Sequence, residues 1–327
     1  MKDKTFLEIK KASFGLSHIY PRAAVSMPND LYTEVFTLYE MLRVADIIEE
    51  SRSTDKNLML DVHVDSLINE KKSDEVKDFV SKNIHGTKKI QEISALNYYD
   101  MFFDIYINLP KDAKDIIAQT TKRTVPAMKD DSYLDVHTFD DQKKYAGDVA
   151  GEPGLGLTRL FDIRLGFSNP EIMFERGYNH GIALQKVNIL RGLKEDIAAA
   201  RNYVPQELLD KYDLDRASFP NNGSSNEVIK ALAKDAQDYL KFGLDYLLDI
   251  PLTIEYPKYE YSKGVRTFMT GLVLLGQEMS NNIYKNPSLA LMGDYKPINL
   301  LIKHAYLSRH VWDDNKKIKK IFENKKI

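Results

Sequence analysis

Residues 31–50 read LYTEVFTLYEMLRVADIIEE. Pro28-Asn29-Asp30 ahead of them supplies a break and a cap, so the spacing predicts a helix from Leu31 to about Ser51. Its apolar stripe runs Leu31, Val35, Leu38/Tyr39 and Leu42, in steps of three and four. The same steps lead to Asp46, then to Glu49 and Glu50. Those three acids stand at i, i+3 and i+4 and share one face, which continues the buried one. Inward carboxylates must be paired or bind a cation, because burying bare charge is costly. Three of them with no lysine or arginine between suggest a hard metal such as Mg²⁺. Taken alone, the segment also reads as a helix that simply emerges into solvent at its end.

The neighbouring sequence is helical too, and period-2 alternation is scarce. Further helices are expected from about Asp65 to Ile84, Leu96 to Ile107 and Ala113 to Thr124, the last ending just before Pro126. Asp140 to Leu160 follows with a Gly/Pro interruption, then a long helix from Tyr178 to Asn202. Ser225 to Leu248, Gly264 to Tyr284 and Ile298 to Trp312 complete the set, and the Lys-rich Lys316 to Lys326 reads as a frayed, solvated end. Short connections and no long Gly/Ser linker argue for one all-α, single-domain helical bundle over residues 1–327.

Within the long helix, Gln185, Asn188, Gly192 and Asp196 form a polar stripe, with Glu195 beside it. Ile182, Ile189, Leu193 and Ile197 form a separate apolar side. Arg191 and Arg201 flank the polar stripe, and Arg43 precedes the first acidic cluster by about one turn. Acids that hold Mg²⁺ beside guanidiniums that fork onto oxyanions suit a diphosphate ligand. A salt-bridged, solvated face is the other reading of this helix. Residues 145–157, YAGDVAGEPGLGL, carry four glycines without the strand that a dinucleotide loop requires. Small residues in a helical pattern instead let a helix bend or approach a ligand closely. The seven histidines show no zinc-ligand spacing and read as structural or surface residues; His180, one to two turns before the polar stripe, is also placed where a ligand cavity would have it in its wall.

A 43% hydrophobic content supports a sizeable core, and a net charge of −2 offers no basic field for nucleic acid. Cysteine is absent, which removes disulfides and thiolate metal sites and is compatible with a cytoplasmic address. The first residues lack the apolar run of a signal peptide, and no apolar stretch is long enough to span a bilayer.

Three segments together resemble the squalene/phytoene synthase family, more closely its squalene synthase branch: residues 36–50, residues 145–161 (YAGDVAGEPGLGLTRLF) and residues 185–208 (QKVNILRGLKEDIAAARNYVPQEL). Weaker matches lie at Ser13-Phe14 and from Gly264 to Pro287. The resemblance implies an isoprenoid synthase-type all-α bundle with a central cavity, across which two acidic motifs bind Mg²⁺ and the diphosphates of two prenyl chains. Asp46, Glu49 and Glu50 are similar to the first metal motif, with Glu50 where the family has Asp. Asn188 and Asp196 resemble ligands of the second. Tyr39, Arg43, Arg191, Arg201 and Gln185 resemble diphosphate-binding positions. Tyr145 is similar to an active-site tyrosine placed near the departing diphosphate as a proton acceptor, and Arg43 and Asp46 join it as catalytic candidates.

Two departures matter. Gly192 stands where the second motif carries an aspartate, with Asp148 as a candidate substitute ligand. Gly293-Asp294-Tyr295-Lys296 stands where squalene synthases tend to be basic, which weakens the expectation of NADPH use. The implied activity is head-to-head condensation of two prenyl diphosphates, farnesyl diphosphate first among them, to presqualene diphosphate and a C30 product. A prenyl diphosphate phosphatase, or a non-catalytic member that binds lipid or a partner protein, is the alternative. A monomer or weak dimer, with peripheral membrane association to hand off an oily product, is expected.

Overall fold

The computed structural model describes Ala24 and residues 26–51, 53–83, 90–220, 224–292 and 298–324. Asn29–Glu49 forms α1, with Asp30 in its first turn, where a carboxylate favours the helix dipole. α1 is buried nearly all round, Glu34, Thr37 and Glu40 included, as a helix in the middle of a large core must be. It packs on α2 (Lys56–Ile68), α3 (Asp74–Asn83), α4 (Ile90–Ile107), α5 (Lys111–Lys129) and α7 (Glu152–Leu165). α6 (Phe139–Ala146) runs into a π-helical segment, Gly147–Gly151, which leads directly into α7.

α8 (Pro170–Ala198) forms the second centre and packs on α7, the π segment, α10 (Ser225–Asp249) and α11 (Lys258–Lys285). Short α9 (Gln206–Lys211) and α12 (Ser288–Leu291), then α13 (Ile298–Val311) and α14 (Asn315–Glu323), complete the described chain. One apolar core gathers around α1, α4, α5 and α7, another around α8 and α10. α11 serves both, with Val265, Phe268 and Met269 in the first and Val273, Leu274 and Met279 in the second.

The helical class is as expected, but several boundaries are not. The helix expected over Asp65–Ile84 is two, because Glu70 takes a left-handed φ of 51° and reverses the chain. α5 runs through Pro126. The proline costs about 3 kcal/mol in a helix interior, but Val125 and Met128 on either side are buried in the core and hold the helix together. The Lys-rich tail is not frayed over residues 315–323. Asp314 caps α14, whose Ile318 and Phe322 are buried while its lysines face out. Among the described residues no helix is long and apolar enough to cross a membrane. Residues 293–296 and Ser13-Phe14 lie outside the described residues.

The glycines of residues 145–157 are contact points between helices. A Cβ on Gly154 would stand 2.4 Å from the Gly177 carbonyl oxygen, and one on Gly181 would stand 2.0 Å from that of Ala150. α8 therefore lies directly against the π segment and α7, backbone to backbone. A π turn widens the helix locally and is frequent at functional sites.

Candidate active site

Within the first core, where α1 faces α8, lies a cavity of about 220 Å³. The α1 stripe forms one wall of it: Val35, Leu38, Tyr39, Leu42 and Asp46. Opposite stand Gly177, His180, Gly181, Leu184, Gln185 and Asn188 of α8, and the π segment and α7 close a side with Val149, Ala150, Pro153 and Leu157. Along both helices the wall changes from apolar to polar in the chain direction. The cavity is therefore oily at one end and lined by oxygen and amide groups at the other.

Of the predicted set, Tyr39, Asp46, Gln185 and Asn188 line the cavity itself. Asp46, Asn188 and Glu50 are exposed, and Glu49 is half-buried. The remaining residues lie within electrostatic reach of one another. Burial pushes Glu49 up to about 8, aided by the charges of Asp46 and Glu50 and opposed by Arg201 and Lys56. Burial likewise raises Asp196 to about 6, with Arg201 and Arg191 pulling down and Glu195 and Glu50 pushing up. Glu50 of the first motif thus feels Asp196 of the second, and Arg201 feels both.

Arg43 donates from Nη1 to the Tyr39 hydroxyl at 2.8 Å. Burial opposes its charge, but Tyr39, Glu40 and Asp46 more than compensate and keep the guanidinium protonated. Arg201 is positioned by a turn that the sequence pattern did not reveal. α8 stops at Ala198, Ala200 adopts a left-handed φ of 55°, and the Arg201 amide returns to the Asp196 carbonyl at 2.8 Å. This six-to-one closure is a Schellman turn. It brings the Arg201 guanidinium to 3.3 Å from the Asp196 carboxylate.

Tyr145 is buried outside the cavity wall, in a small cluster with Tyr133, Val136, Ile189 and Tyr203 that reaches the cavity through Val149. Its ring stacks on Tyr203 with centroids 4.5 Å apart. Burial, with Tyr203, Glu49 and Asp196, pushes the phenol well above its usual range. It is held protonated, with its hydroxyl hydrogen-bonded to that of Tyr203. Tyr203 belongs to the segment 185–208, but nothing in its spacing singled it out. The chain crosses back to it by pairing with residues 134–136, where the Asn202 amide meets the Leu134 carbonyl at 2.8 Å.

Gly192 is not demanded by space. A Cβ there would meet only the Asp196 carboxylate, at an ordinary 3.5 Å. Asp148 does not stand in for the missing acid: it accepts hydrogen bonds from Tyr133 and Lys144.

Among the described residues no three acids or histidines converge as a preformed metal cage. Mg²⁺ needs none, since it keeps several waters and takes one or two carboxylates plus substrate phosphate. The carboxylate and amide donors of Asp46, Glu49, Glu50, Asn188 and Asp196 are the hard oxygens it prefers. Burial first, and then the charges of Asp46 and Glu50, raise Glu49; a divalent cation would relieve both, so the residues fit such an ion.

The family model for squalene/phytoene synthase matches residues 17–292 of the chain. A squalene synthase of Schizosaccharomyces pombe is 27% identical over 232 residues, which cover 68% of this chain and 49% of that protein. Squalene synthase BSS of Botryococcus braunii is 28% identical over 242 residues, 71% of this chain and 50% of that one. The chain thus spans about half the length of the curated relatives it matches. Among solved structures, TcSQS in complex with the ligand E5700 superposes with a TM-score of 0.77 at 19% identity, covering 99% of this chain and 91% of the other.

Proposed function

We propose that this chain, which belongs to the squalene/phytoene synthase family, condenses two prenyl diphosphates head to head, with farnesyl diphosphate as substrate and presqualene diphosphate as the first product. The observation that carries the reading is the polarity of the cavity. An apolar channel suited to isoprenoid chains ends where α1 offers Asp46 and α8 offers Gln185 and Asn188. Beside that end stand three arginines and the acids Glu49, Glu50 and Asp196.

Asp46, Glu49 and Glu50 on one side, and Asn188 and Asp196 on the other, would hold Mg²⁺. When bound, the ion neutralises diphosphate and makes it a better leaving group. Arg43, Arg191 and Arg201 orient the diphosphates by charge and by forked hydrogen bonds. Charge stabilisation of this preorganised kind is usually the largest single contribution to such a reaction. Tyr145, the proton-accepting candidate that the resemblance implies, lies with Tyr203 in the cluster that joins the cavity at Val149. The apolar wall from Val35 to Leu42 excludes water, so that the allylic cation meets the second substrate's double bond before it meets hydroxide.

The test is incubation of the purified protein with farnesyl diphosphate and Mg²⁺, with and without NADPH, followed by mass spectrometry. Presqualene diphosphate or a C30 hydrocarbon is expected. Farnesol alone would overturn the reading in favour of a phosphatase. Thermal stabilisation by a diphosphate analogue without turnover would overturn it in favour of a binding protein.

A further inference from the structure

Five helix ends meet at the oily end of the cavity. In the first turn of α11, the Tyr261 hydroxyl donates to Asp30 at the start of α1, at 2.5 Å. Arg164, in the last turn of α7, pairs with Glu34 of α1. Arg176, near the start of α8, pairs with Asp249 at the end of α10. Val35, Gly177 and Tyr246, within about two turns of these ends, line the cavity. Residues 250–257, IPLTIEYP, join α10 to α11 across this end. Leu252 is 49% exposed, Ile254 94% and Tyr256 82%, and Ile172 in the first turn of α8 is exposed as well. Large apolar side chains gathered in water in this way mark an interaction surface.

A basic helix stands beside this loop. α14 buries Ile318 and Phe322 and leaves Lys316, Lys317, Lys319 and Lys320 exposed. Asp314 is turned to the helix N-terminus, where it accepts from the Lys317 amide at 2.9 Å. Arg266 of α11, fully buried, joins helix and loop. Its Nη1 donates to the Leu247 and Ile250 carbonyls at 2.9 and 2.7 Å, and its Nε to that of Trp312 at 2.7 Å. Its Nη2 donates to Asn315 Oδ1 at 2.5 Å. Ser262 donates to the Pro251 carbonyl, and the Tyr259 ring stands edge-on to Trp312 with centroids 5.9 Å apart. The loop and the start of α14 are thus held side by side. Glu255 and Glu260 offset Lys258 next to the loop, so the positive charge of this face belongs to α14.

We propose that this face, the loop of residues 250–257 together with α14, docks the protein on an anionic lipid surface. Hydrocarbon beside phosphate is what such a surface presents, and the face matches both layers. Leu252 and Ile254 enter the acyl boundary, and Tyr256 takes the headgroup level that tyrosine prefers. The four lysines of α14 meet lipid phosphates, an attraction that salt screens. Neither half suffices alone, since a short apolar tip binds weakly and reversibly and lysines without it only attract. In the docked orientation the oily end of the cavity faces the bilayer and the acid-lined end faces water. The surface carries this inference by itself, whatever reaction the cavity performs.

The experiment is co-sedimentation of the full chain with vesicles of phosphatidylcholine, alone or mixed with phosphatidylglycerol, at low and high salt. The wild type should partition onto the phosphatidylglycerol vesicles at least about tenfold more strongly than onto phosphatidylcholine, and salt should remove the difference. Changing Lys316, Lys317, Lys319 and Lys320 together to Gln should abolish the preference. The double change Ile254→Ser and Tyr256→Ser should weaken partition at least about tenfold on the anionic vesicles. Leu58→Ser, at an exposed leucine of α2, should bind as the wild type does. Thermal unfolding reports that each variant folds. A wild type that stays in the supernatant with both lipids overturns the proposal, whether the face then binds a protein or nothing. Equal partition onto the two lipids overturns the part given to α14, and a folded loop variant that binds like the wild type overturns the part given to the loop. No readout involves turnover, so these results stand apart from the test of the condensation.

Discussion

The ends of α1 and α8 approach the same mouth of the cavity but carry different charge. α1 ends in Asp46, Glu49 and Glu50, acids that repel one another strongly enough to help lift Glu49 to about 8. α8 ends in Asp196, which has Arg201 at 3.3 Å and Arg191 within reach, and in Gly192, which adds no charge. Arg43, Lys56 and Arg201 act on the first end through their charge, whereas at the second Arg201 stands directly against an acid. On the proposed function, α1 supplies the demand for a cation, while α8 and the arginines supply the demand for phosphate oxygens. One site thus recruits a metal and an anion from opposite walls, and only the first wall depends on carboxylates for most of its effect.

The largest expected effect comes from Asp46→Asn. Loss of an acid that lines the cavity should lower turnover of the prenyl diphosphate by about 10²- to 10³-fold, read as steady-state rate at saturating Mg²⁺. Asp196→Asn should cost much less, since Arg201 already neutralises that acid. Equal losses would abolish the asymmetry. Gly192→Asp tests the same contrast from the other side. A Cβ at this position meets no close contact, so the variant should fold and need about tenfold less Mg²⁺ for half-maximal rate, a gain of about 1.4 kcal/mol. A Mg²⁺ titration with no shift would show that the α8 end takes no part in metal binding.

The smallest effect is a pH dependence of stability. Glu49 has its folded value raised from 4.5 to about 8. A carboxyl raised in this direction binds its proton more tightly in the folded state. Its contribution is complete below about 4.5 and is lost as pH climbs toward 8. Asp196, raised to about 6, acts in the same direction over a lower window. The metal-free protein should therefore melt at lower temperature at pH 8 than at pH 5. Glu49→Gln should flatten the slope, a difference on the order of 2 °C by differential scanning fluorimetry. Mg²⁺ with a diphosphate should restore stability most at the alkaline end, where protons compete least with the metal. A slope unchanged by Glu49→Gln would mean that its neighbours do not crowd it in solution.

Much of this site was legible because it is built along single helices. Steps of three and four within α1 put Val35, Leu38, Tyr39, Leu42 and Asp46 in one row, and that row is the cavity wall. The same arithmetic placed Gln185 and Asn188. It failed where position depends on a turn or on a neighbour. Arg201 returns to Asp196 only because Ala200 goes left-handed. Tyr145 meets Tyr203 because two loops pair at Asp135 and Asn202. Periodicity sees neither event, since both join residues that share no helix.

Local sequence by itself determined the helical class, the apolar stripe of α1 and the acids that continue it, because helix period and residue chemistry are local properties. Packing decided the rest. It carried α5 through Pro126, folded the Lys-rich tail onto Ile318 and Phe322, and turned Gly147, Gly151 and Gly154 into contacts that bring α8 against the π segment and α7. It also set an unpartnered histidine in an oily wall. Burial and backbone approach are properties of the assembled helices, and only their assembly could place Asp46 across a cavity from Asn188.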